Sequence, residues 1–370
     1  MKKTVHITTV HQRLDSRIFY KECLSLKRNG YDVTLIVADG LGDQTIEGVK
    51  ILDVGKSSGN RIMRVLNSTR KAVKKALSLH ADIYHYHDPE LMRATAKLAK
   101  YARVIFDSHE DFPALMKQRE YIPKVLRGLL FKTAVRMEKS TALKLSAVIC
   151  ATETIEQKFK SYGIVKTVTI KNYPIIKPVE NPVQHHTIKP PKACYVGGLT
   201  PIRGVEQMIK ACQKAGMGLI LAGPFDSRDY FNRMQSLSGW KNVEYLGYVP
   251  NKEIAEKVYD KASLGLVLLQ KAPNHTYSIP IKQMEYMANG LPVVASNEVI
   301  FCRMVTEEEK CGIVVDPLNV EEIADAMKEI ANNPDKAKKM SEKALKASSD
   351  KYNWNSQEKK LTELYRQLLS

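Results

Sequence analysis

Short apolar runs of strand length recur along this chain, each followed by a stretch with helical spacing, and no other feature restricts its fold as much. In the first half the runs are Lys3 to Val10, Asp32 to Ala38, Val49 to Val54, Asp82 to His87, Arg103 to Asp107, Ala147 to Ala151 and Thr167 to Ile170. In the second half they are Ala193 to Val196, Gly218 to Leu221, Val243 to Leu246, Leu264 to Leu269, Pro292 to Ala295 and Ile313 to Val315. Strands alternating with helices build βαβ units, and these assemble into parallel sheets covered by helices. Between the two series lies Pro174 to Pro191, with five prolines and no sustained periodicity, which reads as a linker. The chain is therefore expected to be α/β with two Rossmann-like domains, and its 370 residues suffice for two cores.

The stretch Thr276-Tyr-Ser-Ile-Pro-Ile-Lys-Gln-Met-Glu-Tyr-Met-Ala-Asn-Gly-Leu-Pro-Val-Val-Ala-Ser296 reads as loop, short helix and buried strand in succession. Ser278 is a fair N-cap, Pro280 suits the first helical turn, and Gly290 falls where a left-handed residue ends a helix. Such a helix turns free N–H groups and the positive end of its dipole outward, and Lys282 adds a full charge, which outlines a diphosphate site. Glu285, one turn further in, suits neutral hydroxyls such as those of a ribose. An ordinary helix with two exposed polar residues fits the same letters.

Several strand ends carry polar clusters, and ligands of open α/β sheets bind at the carboxyl edge of parallel strands. The turn after the first strand, His11 to Arg17, has no glycine, which argues against a dinucleotide fingerprint; Asp15 there suits a helix cap. His85-Tyr-His87-Asp88-Pro and Ser108-His109-Glu110-Asp111 close two further strands. Read from the residues alone, these are caps of the following helices or metal ligands. His85 and His87, split by Tyr86, lack the usual ligand spacings, so no metal and no cofactor is expected. Gly197-Gly198-Leu-Thr-Pro-Ile-Arg203-Gly204 joins strand to helix, lets backbone come close and sets Arg203 near a helix start.

The formal charge of +17 calls for an anionic partner. Asn60 to His80 carries Arg61, Arg64, Arg70, Lys71, Lys74 and Lys75 among apolar residues without an acid, and Lys117 to Leu145 is a second basic, apolar segment. Each is either the solvated face of a helix or a surface for anionic headgroups. No zinc-finger spacing, RNA-binding strand signature or basic heptad appears, so nucleic acid is excluded in favour of a membrane surface. The six cysteines form no close pair, which fits reduced thiols in the cytoplasm. The first residues alternate like a strand and lack the apolar core of a signal peptide, and no run is long enough to cross a bilayer. Peripheral attachment to the inner face of the cell membrane is the expected localisation.

Pro-x-Lys-x-x-Glu-Tyr-Met-Ala-x-Gly-x-Pro-Val-x-Ala-Ser resembles the nucleotide-sugar segment of retaining glycosyltransferases of the family 4 type. The resemblance implies a GT-B fold, in which two Rossmann-like domains face a cleft and a C-terminal helix crosses back to the first. It implies residues 1–175 as acceptor domain, 176–191 as linker, 192–345 as nucleotide-sugar domain and 346–370 as the returning helix. In that family one glutamate binds the ribose, matched by Glu285, and another eight residues earlier touches the donor sugar; Tyr277 holds that position here. The phosphate-contacting amides fall at Ser278, Ile279 and Ile281, with Pro280 between them, and Lys282 is a further donor contact. Gly197, Gly198 and Arg203 resemble the family's diphosphate loop, with Arg203 at its second basic position, and Gly223, Gly247 and Tyr248 lie in two further donor segments. His109 matches the histidine near donor sugar and acceptor and is the catalytic candidate. Asp15, Arg17, His87, Asp88 and Glu110 are acceptor-side candidates.

The activity implied is hexosyl transfer, with retention, from a nucleotide-diphosphate donor, UDP-sugar before GDP-sugar, to a glycan hydroxyl. The acceptor is expected to be linked to polyprenyl diphosphate, as in O-antigen or capsule assembly. The alternatives are an epimerase or hydrolase of nucleotide sugars on the same fold, and a non-catalytic protein that binds nucleotide and membrane.

Overall fold

The computed structural model describes residues 1–56, 61–114, 124–176, 183–272 and 275–370, with 61–64 and 124–126 as backbone alone. Two compact units emerge: Met1–Asn172 with Gln357–Ser370, and Tyr173–Ser356.

The first unit holds an eight-stranded sheet in the order β3-β4-β2-β1-β5-β6-β7-β8. Its strands are β1 (Lys3–Ile7), β2 (Asp32–Val37), β3 (Gln44–Ile46), β4 (Val49–Asp53), β5 (Ile83–Tyr86), β6 (Arg103–Ser108), β7 (Ala147–Cys150) and β8 (Thr167–Thr169). All neighbours are parallel except β3 with β4, an edge hairpin that the sequence pattern missed because Gln44-Thr-Ile is too short to show a period. The second unit holds the all-parallel order β11-β10-β9-β12-β13-β14. Here β9 is Lys192–Val196, β10 Gly218–Ala222, β11 Val243–Tyr245, β12 Leu264–Val267, β13 Val293–Ser296 and β14 Gly312–Val315. The central strands are buried throughout, as sheets covered on both faces require.

Each sheet reverses its winding once. Strand order runs outward in opposite directions from the pair β1 and β5 in the first unit and from β9 and β12 in the second. Loops leaving such a pair at the carboxyl edge diverge to opposite faces and leave a crevice between them. The loops 8–17 and 87–91 leave the first pair, and 197–204 and 268–280 leave the second.

The units divide at different residues from the expected ones. The second unit starts at Tyr173, because Tyr173 packs edge-on against Tyr352, 5.6 Å between ring centres, and against Phe301. Part of the expected linker also belongs to it: both ring nitrogens of buried His185 lie 2.7 and 2.8 Å from the carbonyl oxygens of Asn289 and Ala262. Residues 177–182 lie outside the described residues. The helix Pro334–Asp350 stays with the second unit through buried Ala337, Met340, Ala344 and Ala347. Only from Gln357 does the last helix, Trp354–Leu369, pack in the first unit, where Tyr365 is fully buried.

Two helices carry the basic segments. In Arg61–Leu77 the side chains of Ala72, Val73 and Ala76 are buried in the core of the first unit, whereas Leu66 is 46% exposed. Arg70, Lys71, Lys74 and Lys75 form its exposed face. The helix Lys124–Ala142 leaves Leu129 and Leu130 exposed at 65% and 41%, beside exposed Lys132, Arg136 and Lys139. Lys117 and Arg119 lie outside the described residues.

Candidate active site

In the second unit the helix Ile281–Ala288 follows β12 and precedes β13. Its N-cap is Pro280, with ψ 109°, and no side chain caps it. The expected cap, Ser278, donates its hydroxyl to the His275 carbonyl at 2.8 Å instead. Pro280 pushes the residue before it into extended backbone, so the helix starts after the proline, too far on for Ser278 to reach its amides. Gly290 does adopt left-handed backbone, φ 74°, just past the helix end. Lys282 donates to Glu285 Oε2 at 2.6 Å, and the buried Tyr259 hydroxyl donates to the same oxygen at 2.7 Å. Burial and the Glu285 charge push Tyr259 far above its ordinary pKa, which keeps it a donor. The result is a half-buried carboxylate fixed in orientation beside an uncapped helix start, with a lysine held over it.

The loop after β9 meets the loops after β10 and β11 backbone to backbone. Gly197 N–H donates to Ala222 O at 2.9 Å and Gly223 N–H to Gly247 O at 2.6 Å. A Cβ on Gly223 would lie 2.0 Å from Gly197 O, so no other residue fits there. Gly223 thus owes its identity to the crossing of two backbone segments. Arg203 Nη1 donates to the Tyr195 hydroxyl at 3.1 Å. That hydroxyl rises above its ordinary pKa through burial, against the opposing pull of Arg203. Left-handed Gly204 caps the helix Val205–Ala215, again with no side-chain cap. Arg203, Lys282 and two open helix starts therefore stand at the carboxyl edge of one sheet, on either side of its switch in winding. Tyr248 and Tyr277, exposed at 79% and 59%, flank this edge, and Gly198, Ile279 and Ile281 are partly exposed along it.

In the first unit the residues at the β1, β5 and β6 edges form a layered assembly. His109 is half-buried and its Nε2 lies 2.7 Å from Asp107 Oδ2. Asp107 is fully buried and takes both Arg17 bonds, from Nε and Nη2, each at 2.8 Å. Burial opposes ionisation of Asp107, but Arg17 and His109 outweigh it and hold its carboxyl well below the usual range. Burial and nearby Asp107 push Glu22 up, so the single guanidinium beside both carboxyls serves Asp107 first.

Three acceptor-side candidates are not at the surface. Arg17 is 4% exposed, its guanidinium consumed by Asp107, the Ile170 carbonyl and Glu22. Asp88 is buried and accepts from the Thr8 hydroxyl and the Thr9 amide, which fastens the loop after β1 to the end of β5. His87 is buried between His6, 3.0 Å away, and Asp107, 3.3 Å away. All three shape the site from below, because polar atoms at a sheet edge are first claimed by the loops that cross it. Asp15 is half-buried and accepts from the Arg17 and Ile18 amides at 2.8 and 2.9 Å, so it does cap the helical turn, which opens as a wide π-turn at Ile18. Glu110 is exposed.

The residue that sequence reasoning passed over is His11. Its ring sits 5.1 Å from that of His109, with Nδ1 3.5 Å from Asp15 and Nε2 3.6 Å from Asp88. The Asp15 bond raises its pKa above 6.5 against the effect of burial. His11 and Asp15 are four residues apart in the turn after β1, and that spacing is the signal that could have found it. Two half-exposed imidazoles thus stand side by side on a buried ionic base.

A family model described as Glycosyl transferases group 1 matches residues 179–347, and one described as Glycosyltransferase Family 4 matches residues 16–172. An uncharacterized glycosyltransferase of Methanocaldococcus jannaschii is 28% identical over 177 residues, 46% of this chain and 44% of that protein. The alpha-D-kanosaminyltransferase of Streptomyces kanamyceticus is 26% identical over 185 residues, 48% of this chain and 46% of its own. The matches thus span less than half the length of these curated relatives. Among solved structures, sucrose-phosphate synthase from Thermosynechococcus elongatus superposes with a TM-score of 0.75 at 17% identity, covering 100% of this chain and 99% of the other. Anabaena HepE in complex with UDP and glucose gives 0.71 at 15% identity, with both chains covered in full at 100%. WaaG, a glycosyltransferase involved in lipopolysaccharide biosynthesis, gives 0.68 at 15% identity over 98% of this chain and 99% of its own. At these identities the likeness to the solved structures is one of fold.

Proposed function

The chain belongs to the GT-B glycosyltransferases of the family 4 type, matched across both of its halves, and from that premise we propose that it transfers a hexose from a nucleotide-diphosphate donor to a glycan hydroxyl with retention. The observation that carries this reading is the uncapped start of the helix Ile281–Ala288 with Lys282 and Glu285 fixed in its first turns. Departure of a nucleoside diphosphate builds negative charge on its oxygens. Preorganised donors lower that barrier, and Arg203, Lys282 and the open helix amides are such donors. Glu285, oriented by Tyr259, is suited to accept from a ribose diol. UDP is the favoured nucleotide, in line with HepE, whose structures hold UDP and UDP-glucose. On the first unit, His109 is the group proposed to meet donor sugar and acceptor, steadied by Asp107, with His11 beside it.

Product analysis tests this. Radiolabelled UDP- and GDP-sugars are incubated with a polyprenyl-diphosphate-linked glycan, and label is followed into the lipid-extractable product. The expected result is label in the lipid fraction with the donor's anomeric configuration, abolished by His109→Ala. Free sugar released without acceptor would make the protein a hydrolase, an isomerised donor an epimerase, and neither with tight nucleotide binding a non-catalytic binder.

A lipid-linked acceptor also calls for a docking face, which we assign to the helix Lys124–Ala142, where Leu129 and Leu130 are exposed beside Lys132, Arg136 and Lys139. Each basic residue near an anionic surface contributes about 1 kcal/mol before screening. The attachment proposed is peripheral; among the described residues no helix is long and apolar enough to cross a membrane. The protein should sediment with anionic vesicles, less as salt rises, and Lys132→Gln/Arg136→Gln/Lys139→Gln should release it while nucleotide binding is kept. Sedimentation of that variant equal to the parent's would remove this helix from the docking face.

A further inference from the structure

Beneath the surface histidines lies a group of buried side chains none of which reaches the surface. His6 on β1 stands in register beside His85 on β5, and His87 follows two residues later on the same face. Glu22, from the helical turn Ile18–Cys23, closes over them, and all four residues are between 0% and 1% exposed. One ligand atom from each lies within 4.8 Å of all the others.

The outward nitrogens of the three rings are already held. His6 Nε2 lies 3.2 Å and His85 Nδ1 2.9 Å from the Tyr365 hydroxyl oxygen, and His87 Nδ1 lies 3.3 Å from Asp107 Oδ2. A phenol oxygen can accept from both His6 and His85 and still donate its own proton to Thr4 Oγ1, 3.4 Å away. In that arrangement every outward nitrogen carries a proton onto an acceptor, the outer-shell pattern that fixes histidine ligands around a metal. The inward atoms are then three imidazole lone pairs and a Glu22 oxygen facing one another.

A network without an ion can satisfy part of this. His6 Nδ1 and His87 Nε2, 3.0 Å apart, can share one proton. It leaves buried His85 Nε2 without a hydrogen bond, while Glu22 has only the Arg17 Nε, 3.1 Å from Oε1, and the neighbouring Asp107 carboxyl to turn to. His85 Nε2 and Glu22 Oε2 are 3.9 Å apart, too far for a hydrogen bond. Tetrahedral bonds of about 2.0–2.1 Å place neighbouring ligand atoms about 3.3 Å apart; of the six pairs here, His6 Nδ1 and His87 Nε2 lie closer than that and His85 Nε2 and Glu22 Oε2 further apart.

We propose that His6, Glu22, His85 and His87 bind one divalent transition ion, zinc being the ordinary occupant of a three-histidine, one-carboxylate set. The ion ties β1, β5 and the first helix together, with Tyr365 of the last helix in its outer shell. With four protein ligands and no exposed atom it has no position for substrate, so its role is structural. The spacing argument against a metal considered one strand only; the fold supplies the other two ligands.

The test uses the full chain, produced with added zinc and purified without a metal-affinity tag, with metal content read by mass spectrometry after dialysis. The expected content is about one zinc per chain, the capacity of one four-ligand site, falling at least tenfold in Glu22→Gln and in His85→Gln but not in His109→Ala. Cobalt substitution should give the visible bands of a tetrahedral ion in the parent alone. Circular dichroism of each variant separates loss of ligand from loss of fold. Metal-free parent protein that is folded and takes up no zinc or cobalt would overturn the proposal and leave a hydrogen-bonded network. Equal metal in parent and folded variants would overturn it as well.

Discussion

Replacing Arg17 with leucine should cost about 3–5 kcal/mol of stability, the range for breaking a buried ion pair by removing one partner. The guanidinium is 4% exposed and carries bidentate bonds to Asp107, one bond to the Ile170 carbonyl at 2.9 Å and an ion pair to Glu22 at 3.1 Å. Without it the two buried carboxyls, Asp107 and Glu22, lose the guanidinium they share. Leucine fills much of the volume, so the loss is mainly electrostatic. Adding Asp107→Asn should restore part of the stability, because a neutral amide needs no counter-charge, although the His109 contact is then lost. Urea unfolding, followed on the transition of the first unit, reads both effects. A loss under about 1 kcal/mol for Arg17→Leu would mean that the pair behaves like an exposed one.

The second large effect is on nucleotide binding. Arg203→Ala and Lys282→Ala should each weaken affinity for UDP by about 1.5–3 kcal/mol, the range for charged hydrogen bonds, or roughly 10- to 150-fold. The two are not equivalent. Among the described residues Arg203 is braced by the Tyr195 hydroxyl, whereas Lys282 pairs with Glu285 at 2.6 Å. On the proposed diphosphate assignment, Lys282→Ala therefore removes a phosphate donor and also leaves Glu285 without its lysine partner. Glu285→Gln added to Lys282→Ala should then recover part of the loss, a coupling that two distant sites would not show. Titration calorimetry with UDP measures all of this on folded variants. Unchanged affinity in both single variants would remove the diphosphate assignment, and additive losses in the double variant would separate Lys282 from Glu285.

The strand and helix alternation was legible because periodicity is a local property: buried parallel strands need unbroken apolar runs, and β9 to β14 fall within a residue or two of where those runs lie. Gly290, too, could be read from its place after a helical pattern, since left-handed backbone selects glycine. Lys282 and Glu285 were legible together, being neighbours on one helix. The Ser278 cap was misread although it is local, because Pro280 moved the helix start. What no spacing could give is which polar residues reach water. Arg17, His87 and Asp88 read like surface candidates, yet they lie 90, 81 and 80 residues from the partners Asp107, His6 and Thr8 that bury them. That Ala72, Val73 and Ala76 of the basic helix Arg61–Leu77 face the core is likewise decided by the sheet they pack on. His6, Glu22, His85 and Tyr365 come together only because two parallel strands pair in register and the last helix packs in the first unit. Sequence determines what each segment becomes through its own period. The tertiary fold decides which charges are desolvated, because desolvation depends on neighbours that the chain brings in from far along its length.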